Sequence, residues 1–424
     1  MPPGPLPSAG PLAGLKVLDF SAVLSGPLTA ATLADQGAEV IKVETPEGDT
    51  TRLIGPTRGS GMSAMFIASN RGKRCVALDL KQAAGREVAL ALLRQADVLV
   101  ENMRPGVMER LGLGPARALE LNPRLIYLSI TGHGPDGPDA GARVYDGVIQ
   151  ARSGLCASTP HPQTGEPMLL PAAVFDKVTA LSAAQAVTSA LYARERDGRG
   201  RHVQVAMIDA AVAFQWPDAM YNHVFLDDAP APMPEFLQGH APWQARDGHL
   251  VTQTAQQAEF NALCRALGRD DMTEDPRFAS ARERARHMRE VRAQLGPLMA
   301  ALDLDELVSL LERSGVPVGR VNRREEVVGD PQVRHNRLLR AADAGVRDLA
   351  QQASAARGCR AAWRASALKP PTRARRVGWA STPCRCCANW ATRRSESTRC
   401  CRPRRRCRPA PERPAAYPLR KMKL

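Results

Sequence analysis

The chain has 424 residues, 44% of them apolar, with 33 glycines and 34 prolines, which is material for two or three packed domains and excludes a collagen, a small disulfide scaffold and a wholly disordered chain. No stretch reaches the roughly 20 apolar residues of a membrane helix, and the opening PPGPLPSAGPLAG lacks the basic start and apolar centre of a signal peptide, so the expected location is the cytoplasm. The net charge of +15 is unevenly held: residues 341–424 carry 21 Lys and Arg against 4 Asp and Glu, whereas residues 1–340 carry 37 against 39.

Chain order then gives a fold class. KVLDF at 16–20 is a short apolar strand, LTAATLADQGA has helical spacing, and EVIKVE alternates as a strand does. A second unit follows in RCVALDLK, the helical GREVALALLRQAD and VLVENM, and PRLIYLSITG adds another strand. Strands alternating with helices predict an α/β protein with a Rossmann-like parallel sheet. Asp176 to about Arg196 reads as a long helix, followed by the strand HVQVAMI. After Pro217 the texture changes, and EFNALCRALG and DLDELVSLLERSG read as short helices around a turn at Asp247 and Gly248. The expected organisation is a large α/β domain at 1–224, a smaller α+β domain at 225–330, and a linker and basic tail at 331–424.

Generic motifs are sparse. The turn SAVLSGP has one glycine, so it is no dinucleotide fingerprint, and no Walker A sequence occurs. His133, His161, His202, His240 and His249 lack metal-ligand spacing, so no metal site is expected. Arg71, Lys73 and Arg74 before one strand, and Arg104 with Arg110 after another, sit where an α/β sheet collects phosphate-bearing ligands, although solvated surface is the simpler reading. Asp176 follows an apolar run and precedes the long helix. There it is either an N-cap or a nucleophile kept ionised by the helix dipole, and spacing alone leaves both open.

Nine blocks in order over about residues 12–340 resolve the choice. LAGLKVLDFSAVLSGP, GAEVIKVE with GD, NRGKRCVALDLK, ADVLVENMRPGVMERLGL, LNPRLIYLSITGHG, YDGVIQARSGL, ALYARERDGRGRHVQVAMIDA, DG with DPRF, and GVPVGRVN resemble the family III CoA-transferases, the CaiB/BaiF group. The resemblance implies an interlocked homodimer that takes acyl-CoA and small carboxylic acids as substrates and binds no permanent cofactor. It puts the catalytic aspartate on Asp176 and the CoA-contacting turn on Val23, Leu24 and Ser25. Lys73, Arg74, Asn102, Met103, Arg104 and Arg110 match the parts that hold the CoA phosphates and adenine, and Arg143 and Asp146 complete the expected set. Formyl-CoA transferase has Gln where this chain has Leu24, and its Gly-rich flap is not recognisable around Gly239 and His240. The racemase branch has a His-Asp pair where this chain has Ala142 and Arg143, and a racemase needs a base on each face of the α-carbon. The implied chemistry is therefore transfer of CoA through an aspartyl-CoA thioester, with backbone NH groups at the start of the Asp176 helix stabilising oxyanions. A same-fold racemase is the alternative.

The tail breaks the resemblance. Family members continue to a segment containing LGEHT, and residues 341–424 hold only six Leu, Val, Ile or Phe residues and seven of the ten cysteines. Read back into GC-rich codons and started at the third base, GWASTP at 378–383 becomes LGEHT and the following residues become VPLLRELG. A frameshift between about 341 and 378, natural or a sequencing error, accounts for this, and it would compromise the dimer and part of the large domain. The competing reading of the CRCC and RPRRRC text is a nucleic-acid-binding tail, but no partner of that kind is expected because shifted GC-rich DNA yields such text by itself.

Overall fold

The computed structural model describes residues 10–57, 62–161, 163–225, 231–234, 241–336, 339–341 and 350–352. Its main sheet has six parallel strands: β1 Lys16–Asp19, β2 Glu39–Glu44, β3 Lys73–Ala77, β4 Val98–Glu101, β5 Ile126–Thr131 and β6 Arg201–Ala206. Their order is β3-β2-β1-β4-β5-β6. From β1 the chain winds outward through β2 and β3, then returns to start β4 on the other side of β1. The loops leaving β1 and β4 therefore diverge, and a crevice opens between them at the carboxyl ends of the strands.

Strands buried on both faces read as continuous apolar runs, which is why VLVE and IYLSI carry almost no polar residues. Val17, Val40, Val98, Val100, Ile126 and Leu128 face one layer with α1 (Ser25–Asp35) and α8 (Val174–Asp197). Short helices α2 (Ala64–Ser69) and α4 (Val107–Arg110) precede β3 and follow β4, and Leu18, Val43, Leu99 and Tyr127 face the other layer, with α3 (Ala83–Leu93) and α5 (Pro115–Leu121). Each such side chain contributes about 1.5–3 kcal/mol of burial. The Tyr127 hydroxyl donates to the Leu113 carbonyl at 3.2 Å, so it is not left unsatisfied in that layer.

Between β5 and β6 the chain forms α6 (Asp146–Arg152), α7 (Leu155–Ser158) and α8, and after β6 it forms α9 (Met207–Gln215). A second, antiparallel sheet joins β7 (Trp243–Gln244), β8 (His249–Thr252) and β9 (Val318–Arg320) in the order β7-β8-β9. Its core is built with α10 (Gln257–Ala266), α12 (Met288–Ala300) and α13 (Leu304–Arg313), around Phe260, Leu295, Leu307 and Leu311. In the segment expected to be linker and tail, Pro331–His335 is helical and Leu339–Ala341 pairs antiparallel with Ala350–Gln352. Gly239, His240 and the GWASTP segment lie outside the described residues. No helix among the described residues is long and apolar enough to cross a membrane.

Candidate active site

Two loops and two helices meet at the crevice. The loop after β1, Phe20 to Leu24, turns sharply into α1, and Val23 takes φ 69°, the sole non-glycine with positive φ among the described residues. Gly26 follows because an added Cβ would lie 2.2 Å from the Ser21 Cβ. The loop after β4 supplies Asn102, whose side chain grips Ala22 twice: Oδ1 accepts from the Ala22 NH and Nδ2 donates to the Ala22 carbonyl, both at 2.8 Å. The Met103 NH donates to the buried Glu101 carboxyl at 2.8 Å, and burial pushes that acid up to about 7.

Asp176 is the third residue of α8, which starts at Val174 with Ala173 as the cap position, so it does not serve as the N-cap. Its backbone NH donates to Asp146 Oδ1 at 2.8 Å, while Asp146 Oδ2 accepts from Gln150 Nε2 at 2.6 Å. The Asp176 side chain faces the crevice, where the hydroxyl and backbone NH of Ser25 act on its carboxylate. Burial and the charge of Asp146 push it up to about 6, and Ser25 pulls it partly back. At pH 7 the group is therefore mostly ionised, yet it is a stronger base than a surface aspartate. Of the backbone NH groups at the start of this helix, that of Val174 is bound to the Ala172 carbonyl and that of Asp176 to Asp146. Ser25, at the start of α1, adds donors from the other side of the cavity.

Three cavities adjoin here. Asp176 lines one of about 300 Å³ with Val23, Ser25, Asn102, Met103, Arg104 and Arg143. A second, of about 610 Å³, adds Arg110 and shares Ala22, Asn102, Met103 and Arg104 with the first. A third, of about 380 Å³, lies over the ends of β2 and β3 with Lys81, Asp79 and Leu78, and shares Ala22 and Met103. Together they form a groove along the carboxyl end of the sheet.

Not every expected residue reaches it. Lys73 has no exposed side-chain surface: its Nζ pairs with Asp19 at 2.7 Å and donates to the Asn70 side chain and the Pro27 carbonyl, both at 2.8 Å. Arg74 points outward beside Glu39, 3.6 Å away, and lines none of the three cavities. Leu24 is buried, and Asp146 is 7% exposed behind Asp176, so neither lines the groove. The cation that sequence reasoning missed is Lys81, four residues past the end of β3. The rule that ligands gather beyond the carboxyl ends of parallel strands would have favoured it over Lys73, which begins the strand.

A groove at the switch point, with one aspartate presented on a helix and cations along its length, is a layout for a ligand carrying phosphates and a reactive acyl end. Residues 12–374 match the family described as CoA-transferase family III, and the chain belongs to that family. It is 36% identical over 345 residues to the "Probable fatty acyl-CoA transferase Rv3272" of Mycobacterium tuberculosis, covering 78% of this chain and 87% of that protein. The crystal structure of Rv3272 superposes with a TM-score of 0.70 and 34% identity, over 81% of this chain and 95% of that one. The succinate–glutarate CoA-transferase of Agrobacterium fabrum is 35% identical over 333 residues, 76% of this chain and 83% of that protein. A CaiB/BaiF family protein from Brucella suis superposes with a TM-score of 0.69 at 33% identity, over 85% of this chain and all of that one. The fold and the CoA-transferase family read from the nine sequence blocks therefore hold.

Proposed function

We propose that the protein transfers CoA from an acyl-CoA donor to a carboxylic acid through an aspartyl-CoA thioester on Asp176. One observation carries this reading: a single carboxylate, rigidly mounted, faces a cavity of the groove whose other described titratable lining residues are Arg104, Arg143 and Tyr145. Asp176 attacks the donor thioester carbonyl, and the C–S bond breaks to give a mixed anhydride and CoA thiolate. The thiolate then attacks the aspartyl carbonyl, releasing the donor acid and leaving Asp176–CO–S–CoA. The acceptor carboxylate attacks that thioester, giving a second anhydride and thiolate. Attack of the thiolate on the acceptor acyl carbon frees the new acyl-CoA and restores the Asp176 carboxylate. When an oxyanion forms at the aspartyl carbon, the NH and hydroxyl of Ser25, which lines the same cavity, are the donors at hand to stabilise it.

Racemisation fits less well, because the described lining beside Asp176 offers no imidazole and no second carboxylate to serve the opposite face of an α-carbon. A dicarboxylic acid is the acceptor class that best uses Arg143. Its guanidinium lines the same cavity as Asp176, and no ion pair ties it to a carboxylate among the described residues. The name of the Agrobacterium relative, which pairs succinate with glutarate, points the same way. Large exposed apolar side chains on α8 and α9, among them Leu181, Tyr192 and Phe214, suit the homodimer the family resemblance implies.

The test incubates the purified protein with acetyl-, succinyl-, glutaryl- and palmitoyl-CoA, each with a panel of free acids, and follows the intact mass. CoA attached at Asp176, and its loss with the acid acceptor, supports the reading. Asp176→Ala is expected to lower transfer by at least about a thousandfold without unfolding. Full transfer by that variant would remove the assignment.

A further inference from the structure

The Val23 turn is held in a conformation its own side chain disfavours. A β-branched residue at φ 69° is out of place by sterics, and left-handed backbone is less populated than right-handed by roughly 5- to 30-fold for any non-glycine residue. Such a conformation persists only where its surroundings impose it. Here they do so from beneath. The Val23 NH lies 3.3 Å from Asp49 Oδ2 and 3.4 Å from Oδ1. Asp49 is itself fixed: Lys42 Nζ stands 3.0 Å from Oδ2 with both side chains buried, and Oδ1 accepts from the Thr51 NH and hydroxyl at 2.9 and 2.8 Å. Lys42 also donates to the Ser21 carbonyl at 2.8 Å, so one ion pair holds the turn at both of its ends. Two residues further on, Ser25 faces Asp176.

We propose that the buried Lys42–Asp49 pair is a positioning device for catalysis, which forces Val23 into the left-handed region so that Ser25 is aimed at Asp176. The proposal rests on Asp176 being the nucleophile. Neither Lys42 nor Asp49 lines the cavity that holds Asp176, so the pair acts on that carboxylate through the turn. Both edge the neighbouring cavity beside Lys81, and a direct contact with bound substrate there is the rival role that the test must separate.

Glycine makes that separation, because it populates positive φ about as readily as negative φ and does not need to be forced. The experiment measures kcat and KM for Asp49→Asn with and without Val23→Gly, using succinyl-CoA and glutarate or the best pair of the panel above. Asp49→Asn is expected to lower kcat by about 5- to 30-fold, in line with the steric preference it releases. In the Val23→Gly background the same change is expected to cost no more than about threefold, a rescue that general damage to the fold would not give. An equal loss in both backgrounds, a loss confined to KM for the acyl-CoA, or no loss at all would overturn the proposal. Should Asp49→Asn fail to fold, Lys42→Gln/Asp49→Asn leaves no lone buried charge and is compared in the same way. Failure of the clamp leaves the Asp176 mass label intact, whereas failure of the nucleophile assignment abolishes it, so the two outcomes stay distinct.

Discussion

Cations surround the turn after β1 in two layers, and the layers differ in how their charges are answered. In the lower layer, Lys73 with Asp19 and Lys42 with Asp49 are nearly or wholly buried, and each is paired at 3.0 Å or less. In the upper layer, Arg104 and Arg143 are exposed in the groove beside Asp176 and enter no ion pair among the described residues. A buried lysine must be answered inside the protein, since leaving its charge uncompensated costs several kcal/mol. An exposed arginine in a groove is free to be answered by something that arrives. The lower layer is bonded into the turn and the start of α1; the upper one stands open to a ligand. Residue type alone does not distinguish them.

The contrast can be broken by substitution. Lys73→Met strands the buried Asp19 and is expected to cost about 3–5 kcal/mol of stability, read as a lower denaturant midpoint, while the folded fraction keeps its KM for acyl-CoA. A large KM change at unchanged stability would move Lys73 into the upper layer. Arg143→Leu is expected to do the reverse. Thermal stability stays put, KM for a dicarboxylic acceptor rises roughly 10- to 100-fold, as for a lost charge-assisted contact, and KM for a monocarboxylic acceptor changes little. Equal effects on both acceptors would end the dicarboxylate reading.

A smaller effect sharpens the picture at Asp176. With the ionised carboxylate as the proposed nucleophile, activity is expected above about pH 6 and is expected to be lost as pH falls through that value. Asp146→Asn keeps an oxygen to accept the Asp176 NH but removes the nearby negative charge, one of the two causes of the raised pKa. The acid limb of kcat/KM against pH is expected to move to lower pH. An unmoved limb would assign the shift to burial alone.

Much of the frame was legible in the chain. EVIKVE forms β2 at residues 39–44, and its burial does not alternate as the sequence reading expected, because the strand lies between β1 and β3 and Lys42 and Glu44 are buried in ion pairs. The long helix was found to within two residues of each end, but that small offset moved Asp176 from the cap to the third position and changed what it does there. Strands of two to four residues, such as β7 and β9, are too short for alternation to register. The positive φ of Val23 had no local signal at all, since nothing in SAVLSGP reports a carboxylate 26 residues away. The frame of the coding sequence is open to direct test: a single-base correction between codons 341 and 378 is expected to restore LGEHT and VPLLRELG. DNA that admits no such correction would make the basic tail native.

The position of Asp176 on a 24-residue helix, with its own NH tied down, also governs wasteful side reactions. A carrier on a swinging arm could hide its cargo between visits; Asp176, in the carrier role proposed above, cannot leave the groove. On the proposed mechanism, each energy-rich acyl species waits where it was made, shielded by what else fills the cleft. Futile loss of thioester to solvent should therefore track how long the acceptor seat stands empty, so a scarce acceptor slows the enzyme and also drains its donor.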